Sequence, residues 1–301
     1  MKTIPIIIDT DPGVDDFFCI GIGCAFRELF DLRAITTIGG NNSTDVTTRN
    51  ALDILKLFRR QDVPVAKGAD SFLFEPFGEP VVRFHGTNGL GDVQLEHSQN
   101  TASALSACDM IYEQARQCNG ELVLVTVGPE TNLAHSFLKY PDLKGMIRKI
   151  VVMGGTLSTG NVSEYAEANI YHDAQAARIV FETGIPIDMI GLNVTRKAPL
   201  RRSIFDGLND LDERIRDVME KLIEFRNEES MHDAIAISSL VSDKVLIFKD
   251  AFTSIIDDYS EKRGMSVVDY EKAPNSRVAV DINVDEYYKV MRQMILLLSK
   301  R

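Results

Sequence analysis

The sequence predicts an α/β protein built on an open, mostly parallel sheet flanked by helices. Three observations predict it: short β-branched apolar runs recur along the chain, stretches of helical length and pattern separate them, and polar or glycine-rich residues follow the runs. Such β-α-β-α-β alternation implies a parallel sheet with right-handed crossovers. The strand ends of such a sheet converge on one crevice, where ligands bind.

Ile4-Pro5-Ile6-Ile7-Ile8 is too short for a helix and rich in β-branched residues, so it reads as a buried strand. Asp9-Thr10-Asp11-Pro12-Gly13-Val14-Asp15-Asp16 follows, with Asp9 and Asp11 on one side of the strand end and Pro12-Gly13 turning the chain. Asp15 and Asp16 open a helix over residues 17–29. A strand at 32–38 ends in Gly39-Gly40-Asn41-Asn42-Ser43; a helix at 45–58 and a short strand at 63–66 come next. Residues 71–97 scatter Phe72, Phe74, Phe77 and Phe84 among Gly and Pro, and a loop of this length in a compact domain is usually functional or disordered. The aromatics favour a binding loop, although they could simply dock it on the core.

The alternation resumes with a helix at 102–117 and a strand at 122–127 ended by Gly128-Pro129, after which Thr131 caps the next helix. A strand at 150–153 leads into Gly154-Gly155 and a polar loop with Asn161, Glu167 and Asn169, then a helix from about 173 and a strand at 186–190. Helices at 212–225 and 233–241, strands at 245–256 and 278–282, and a C-terminal helix complete the chain. No repeat, low-complexity segment or linker divides it, so residues 1–301 read as one domain.

Four carboxylates in the eight residues from Asp9 to Asp16 repel one another, each close pair costing from ~1 kcal/mol in water to ~4 kcal/mol at a protein surface. Lys and Arg are absent between Thr3 and Ala25, so the neighbouring chain supplies no compensating charge. Helix N-terminal amides offset part of it, and a divalent cation would offset more. An all-oxygen donor set favours Ca²⁺ or Mg²⁺ over zinc or copper. The plainer alternative makes Asp15 or Asp16 a helix cap and Asp9 a satisfied end-of-strand acid, but capping needs only one carboxylate.

Acidic residues number 44 against 33 basic ones, a formal net charge of −11, and no basic block stands out. That argues against nucleic acid or an anionic membrane as partner and fits a small neutral substrate. Cys19, Cys24, Cys108 and Cys118 form no CxxC pair and read as reduced packing residues. The N-terminus does not read as a signal peptide and no apolar run is long enough to span a bilayer, so the expected location is cytoplasmic.

His232-Asp233 opens the apolar helix Ala234-Ile235-Ala236. Asp233 reads as an N-cap and His232 as its hydrogen-bonded neighbour, unless this helix faces the crevice; Asp233 would then offer a metal oxygen and His232 a proton. Asn41, Asn161, Glu167 and Asn169 are a set suited to holding hydroxyl groups. With no Trp in the chain, stacking on a planar group would fall to Phe84, Tyr165 or Phe225.

Together these residues resemble the inosine-uridine preferring nucleoside hydrolases. The likeness starts at Asp9–Asp16 and continues through Thr36-Thr37-Ile38-Gly39-Gly40-Asn41, Thr48-Arg49-Asn50-Ala51, His85-Gly86, Gly89-Leu90-Gly91 and Val127-Gly128-Pro129. It then runs through Met153-Gly154-Gly155, Gly160-Asn161-Val162, Ala166-Glu167-Ala168-Asn169-Ile170, Gly191-Leu192-Asn193-Val194-Thr195 and His232-Asp233, with Arg263-Gly264 and Asp269 matching near the C-terminus. The resemblance implies a Rossmann-like core, a homodimer or homotetramer, and hydrolysis of the N-glycosidic bond of ribonucleosides for nucleoside salvage. It implies Ca²⁺ held by Asp11, Asp16, the Thr126 carbonyl and Asp233, with Asp11 the base for the attacking water. It also implies ribose held by Asp15, Asn41, Asn161, Glu167 and Asn169. His232 is the expected leaving-group acid, His85 a second candidate, and Phe225 a base contact. Ala234 stands where many relatives have Pro, which loosens the helix start without removing a ligand.

Two alternatives stand beside this reading. A haloacid-dehalogenase-like phosphatase also places Asp-x-Asp after a strand, though Pro12-Gly13 departs from its pattern and Asp15-Asp16 goes unexplained. A metal-dependent nucleoside-binding protein would keep the pocket without turnover.

Overall fold

A computed structural model describes residues 3–300. Strand β1 (Ile4–Thr10) sends Ile6 and Ile8 to one face and Ile7 to the other, and both faces are buried, as expected of a central parallel strand. Helix α1 (Val14–Ala25) begins at once because Gly13 caps it and the Asp16 carboxylate accepts the Gly13 N–H at 2.9 Å. It stops at Ala25, short of the predicted residue 29, because Phe26 turns the chain: its carbonyl accepts the N–H groups of Leu29 and Phe30. Strand β2 (Phe30–Thr37), helix α2 (Thr44–Leu57) and strand β3 (Val65–Lys67) follow as predicted within a few residues.

Most of residues 71–97 is irregular, apart from one helical turn, α3 (Val82–His85). Asn50 fastens the segment, its amide nitrogen donating to the carbonyls of Pro12 at 3.0 Å and Asn88 at 2.9 Å. Helix α4 (Ala107–Gln117) starts five residues later than predicted, at the Ser106 cap, because the Ser103 N–H is committed to the Val65 carbonyl. Strand β4 (Leu122–Thr126) leads to helix α5 (Thr131–Lys139). Thr131 is not the cap of α5 but its first residue; its hydroxyl donates to Asp173 at 2.7 Å and Glu130 takes the cap position.

Strand β5 (Ile147–Met153), helix α6 (Ala168–His172), helix α7 (Ala174–Phe181), strand β6 (Ile187–Ile190), helix α8 (Leu192–Thr195), helix α9 (Glu213–Phe225) and helix α10 (His232–Val241) come next. Strands β7 (Leu246–Ile255), β8 (Ser266–Asp269) and β9 (Ser276–Ile282) precede helix α11 (Val284–Ser299). The sequence did not reveal α6 or β8, which at five and four residues are too short to show a period.

All nine strands form one sheet in the order β3-β2-β1-β4-β5-β6-β9-β7-β8. Neighbours are parallel from β3 through β9, and the last two pairings are antiparallel. The chain leaves β1 toward β2 and later returns to β1's other side as β4, so the topological switch point lies between the carboxyl ends of β1 and β4. Asp9 pairs with Thr126 there, which puts Asp11 just beyond the edge.

Tyr287 of α11 is fully buried and its hydroxyl has no hydrogen-bond partner. Desolvating that hydroxyl without a partner is unfavourable, so Tyr287→Phe should stabilise the protein by about 1 kcal/mol, read as a Tm rise of about 2–4 °C. A lower Tm for this variant would show that the hydroxyl is satisfied in solution.

Candidate active site

Asp11, Asp15, Asp16 and Asp233 meet at the switch point. Asp11 follows directly on β1, the first turn of α1 carries Asp15 and Asp16, and α10, packed against α1, brings Asp233. Carboxylate oxygens of Asp15, Asp16 and Asp233 lie within 4.8 Å of one another, all buried. Asp16 is the best supported, accepting the Thr10 hydroxyl, the Gly13 N–H and, at 3.2 Å, the Asn41 side-chain amide. Asp11 Oδ2 accepts the Asn41 N–H at 2.8 Å, whereas its Oδ1 is buried with no partner. Close approach explains two glycines: a Cβ at Gly13 would fall 2.3 Å from His85 Nδ1, and one at Gly40 the same distance from Asp11 Oδ2.

Burial pushes Asp11 well above the usual carboxylate range, and repulsion from Asp16 adds to it. Asp233 is raised likewise by burial and then by Asp15, while burial and Asp15 push Asp16 to about 6. Asp15 goes the other way. Burial is the largest influence and raises it, but the Arg226 guanidinium, 3.8 Å from its Oδ1, together with His85 and His232 outweighs that and leaves it lowered. A cluster of hard oxygens with one orphaned carboxylate oxygen and three members pushed toward protonation fits a divalent cation. The three tightly grouped carboxylates include Asp15, whereas the set read from the sequence had Asp11 with Asp16, Asp233 and Thr126. Thr126 is fully buried at the end of β4, level with Asp9.

Above the carboxylates opens a cavity of about 610 Å³. Asp15, Asn41, His85, Asn161, Glu167, Asn169, His232 and Asp233 line it, so the structure brings most of the sequence-predicted residues to one place. Glu167 caps α6, accepting the N–H groups of Asn169, Ile170 and Gly155 at 2.9–3.2 Å; burial raises it to about 7 against the pull of those amides. Asn169 donates its amide to the Val127 and Met153 carbonyls, leaving Oδ1 as the free acceptor. Asn161 Oδ1 accepts the Ala168 N–H, leaving its amide nitrogen for a ligand. Asn41 differs from expectation, since its amide donates to the Asp11 carbonyl and the Asp16 carboxylate and so supports the acidic cluster.

His85 Nδ1 accepts the Val14 N–H at 3.2 Å, so in the neutral ring the proton sits on Nε2. His232 Nδ1 lies 2.7 Å from the Thr195 hydroxyl. Burial lowers both histidines to about 4 and keeps them neutral near pH 7.

Phe225, expected to contact the base, is placed elsewhere: it packs on the core and against Gly91, outside the cavity. Adjacent helical residues do not face the same way, and it is Arg226, the helix C-cap, that enters the cavity. Of the proposed stacking residues Phe84 lines the cavity and Tyr165 does not. Sequence reasoning missed Arg196, Arg226 and His172 in the lining, because an Arg near a helix end and a lone His carry no signal of their own.

An open sheet with buried carboxylates at its switch point, facing a cavity lined by amide and acid groups, defines a site for a small molecule. The comparisons make the class specific. The sequence profile described as "Inosine-uridine preferring nucleoside hydrolase" matches residues 6–289, and the chain belongs to that family. It is 32% identical over 309 aligned residues to the pyrimidine-specific ribonucleoside hydrolase RihA of Salmonella arizonae, covering 97% of this chain and 98% of that protein. The purine-preferring ribonucleoside hydrolase from Gardnerella vaginalis superposes with a TM-score of 0.92 at 29% identity, over 99% of this chain and all of that one. An inosine-guanosine nucleoside hydrolase superposes with a TM-score of 0.87 at 25% identity, over 97% and 98% of the two chains. The protein is a hydrolase acting on N-glycosyl bonds of ribonucleosides, which sets aside the phosphatase and the non-catalytic alternatives.

The raised carboxyls fix the sign of a linkage. A carboxyl raised in the folded state holds a proton the unfolded chain has lost, so in metal-free protein stability falls as pH rises from about 4 toward the folded values of about 6 for Asp16 and higher for Asp11 and Asp233. His85 and His232 act oppositely, costing stability as pH falls below about 6.5. A cation bound there would replace the protons on the carboxylates. Saturating CaCl₂ should therefore raise Tm by about 5 °C at pH 8 and by much less at pH 5, measured against protein in EDTA at each pH. Equal shifts at the two pH values would break the link between the cation and these carboxylates.

Proposed function

We propose that the protein hydrolyses purine or pyrimidine ribonucleosides to free base and ribose, with Ca²⁺ in the acidic cluster and the roles divided as follows. The observation that carries this reading is a buried carboxylate oxygen, Asp11 Oδ1, with no protein partner beneath a cavity lined with hydroxyl-binding groups. Asp11, Asp16, Asp233 and the Thr126 carbonyl are the proposed cation ligands, with Asp15 close by. When bound, the cation lowers the pKa of a coordinated water and orients the adjacent ribose hydroxyls.

Asp11 Oδ1 is then the acceptor for the proton of the water attacking C1′. Asp15, Asn161, Glu167 and Asn169 hold the ribose hydroxyls; Asn41 keeps Asp11 and Asp16 aimed and faces the cavity beside them. Because three backbone amides fix Glu167, it offers its oxygens in one orientation, which favours a near-attack pose. Positive charge developing on the ribose is stabilised by the nearby carboxylates. His232, placed beside Asp233 and tied to Thr195, is the proposed donor on the base side, with His85 Nε2 as the second. The free thiols of all four cysteines fit a reducing, cytoplasmic setting.

The test is release of reducing sugar from inosine, uridine, adenosine, guanosine and cytidine, with and without chelator. Ribose should appear from at least one, and Asp11→Ala should lower kcat by about 10²–10⁴-fold. Full turnover in Asp11→Ala would remove Asp11 from the role of base, and ribose release untouched by exhaustive chelation would remove the cation.

A further inference from the structure

Arginines buried in a fold normally satisfy their donors, and two of the three buried ones in the described residues do. Arg60 donates to both oxygens of Asp62 at 2.9–3.2 Å, and Arg263 to the Asp257 carbonyl at 3.2 Å and Gln175 at 2.8 Å. Arg226 is 7% exposed, yet its only hydrogen bond is a long one, Nη2 to Glu229 at 3.4 Å. Its Nε is buried with no partner, and Nη1 stops 3.8 Å from Asp15, beyond hydrogen bonding. This guanidinium lines the active-site cavity, with Cζ 5.4 Å from the Phe84 ring centroid. Arg196, the other guanidinium in the lining, is occupied by the carbonyls of Thr159 and Gly160 at 2.6 and 2.8 Å. Arg226 is therefore an under-bonded permanent cation whose buried Nε has no partner, an arrangement that a ligand acceptor in the cavity would complete.

Resting on the nucleoside hydrolase reading, we propose that Arg226 takes the leaving base, giving an N–H to a carbonyl oxygen of the base and holding the negative charge it acquires as the glycosidic bond breaks. Phe84, beside Arg226, gives the lining apolar surface for a planar ring, as do Leu192 and Pro199 elsewhere in the cavity, while Asn161, Glu167 and Asn169 supply the groups for ribose hydroxyls. The balance is simple. The water oxygen bonds to C1′, its proton passes to Asp11, and the C1′–N bond breaks with its electron pair going to the base. In bases whose ring nitrogen is conjugated to a carbonyl, that pair spreads onto the oxygen facing Arg226. The base anion takes up its proton through His232, the proposed donor on that side, which is reprotonated from solvent. Oxo-bases such as uracil and hypoxanthine should thus depart faster than adenine, which has no carbonyl to offer.

The experiment compares uridine and inosine with 4-nitrophenyl β-D-ribofuranoside, whose nitrophenolate leaves without such help, in wild type, Arg226→Gln and Arg226→Lys. Arg226→Gln should lower kcat/KM on the better nucleoside by about 10²–10³-fold, as loss of one charge-stabilising donor does elsewhere, with a loss on the nitrophenyl riboside at least tenfold smaller. Arg226→Lys, which keeps the charge but not the fork, should fall between, and it carries the comparison alone if Arg226→Gln fails to fold by its thermal melt. Equal losses on both kinds of substrate would overturn the proposal and make Arg226 a positioning residue acting through Asp15; no loss would overturn it outright. A wild type that releases ribose from no substrate would sink the hydrolase reading and this one with it, an outcome distinct from either.

Discussion

Holding like charges together out of water is the constraint on which the rest of this structure depends. Asp11, Asp15, Asp16 and Asp233 are all nearly or fully buried and drawn from three elements. In such a setting an unpaired carboxylate either finds donors, neutralises, or binds a cation. Asp16 finds donors in Thr10, Gly13 and Asn41; Asp15 finds a guanidinium; Asp9, just below, finds Thr36 at 2.5 Å and Asn132 at 2.8 Å. Asp11 is left short, its Oδ1 buried without a partner, while Asp233 pairs only with the Asp16 carboxyl, another acid. Much of the surrounding sequence follows from this, including two glycines whose missing side chains let His85 and Asp11 approach.

Topology turns that local problem into a site. The carboxyl ends of β1 and β4 part where the strand order reverses, and the crevice that opens there receives one contribution from each direction. From one side α3 brings Phe84 and His85; beyond β5, Asn161 and α6 bring the amides and Glu167; from beneath, α10 brings His232 and Asp233. Paired strands and caps, rather than side-chain chemistry, set where these groups point. Glu167 shows it best, since the same carboxylate that starts α6 also faces the cavity.

What was legible in the sequence was whatever repeats or clusters. The alternation of apolar runs revealed the parallel sheet, and four acids without a local cation marked the acidic cluster. Short elements such as α6 and β8 were not legible, because period needs length. Boundaries slipped where tertiary hydrogen bonds overrode pattern, as at Ser103 and Thr131. Phe225 and Arg226 show the sharper limit. The choice of which neighbour enters the cavity depends on how the last turn of α9 is rotated, and one position of rotation exchanges an aromatic for a cation. Asn41 was found in the right place with a different task, because a sequence shows an amide but not which oxygen it serves.

The distribution of charge gives these pieces a common purpose. Burial leaves His85, His172 and His232 neutral near pH 7, each lowered to about 4, so they add hydrogen bonds to the cavity but little field. Arg196 spends its Nη donors on the backbone that leads into Asn161, and so serves the wall. That leaves negative charge at the base of the cavity and, facing into it, Arg226, which pairs loosely with Asp15 and Glu229 and keeps its buried Nε without a partner. Breaking a glycosidic bond separates charge in the complementary sense, positive on the sugar and negative on the departing base. A site polarised this way would favour the separated state over the intact nucleoside, and a difference of that kind is what accelerates a reaction.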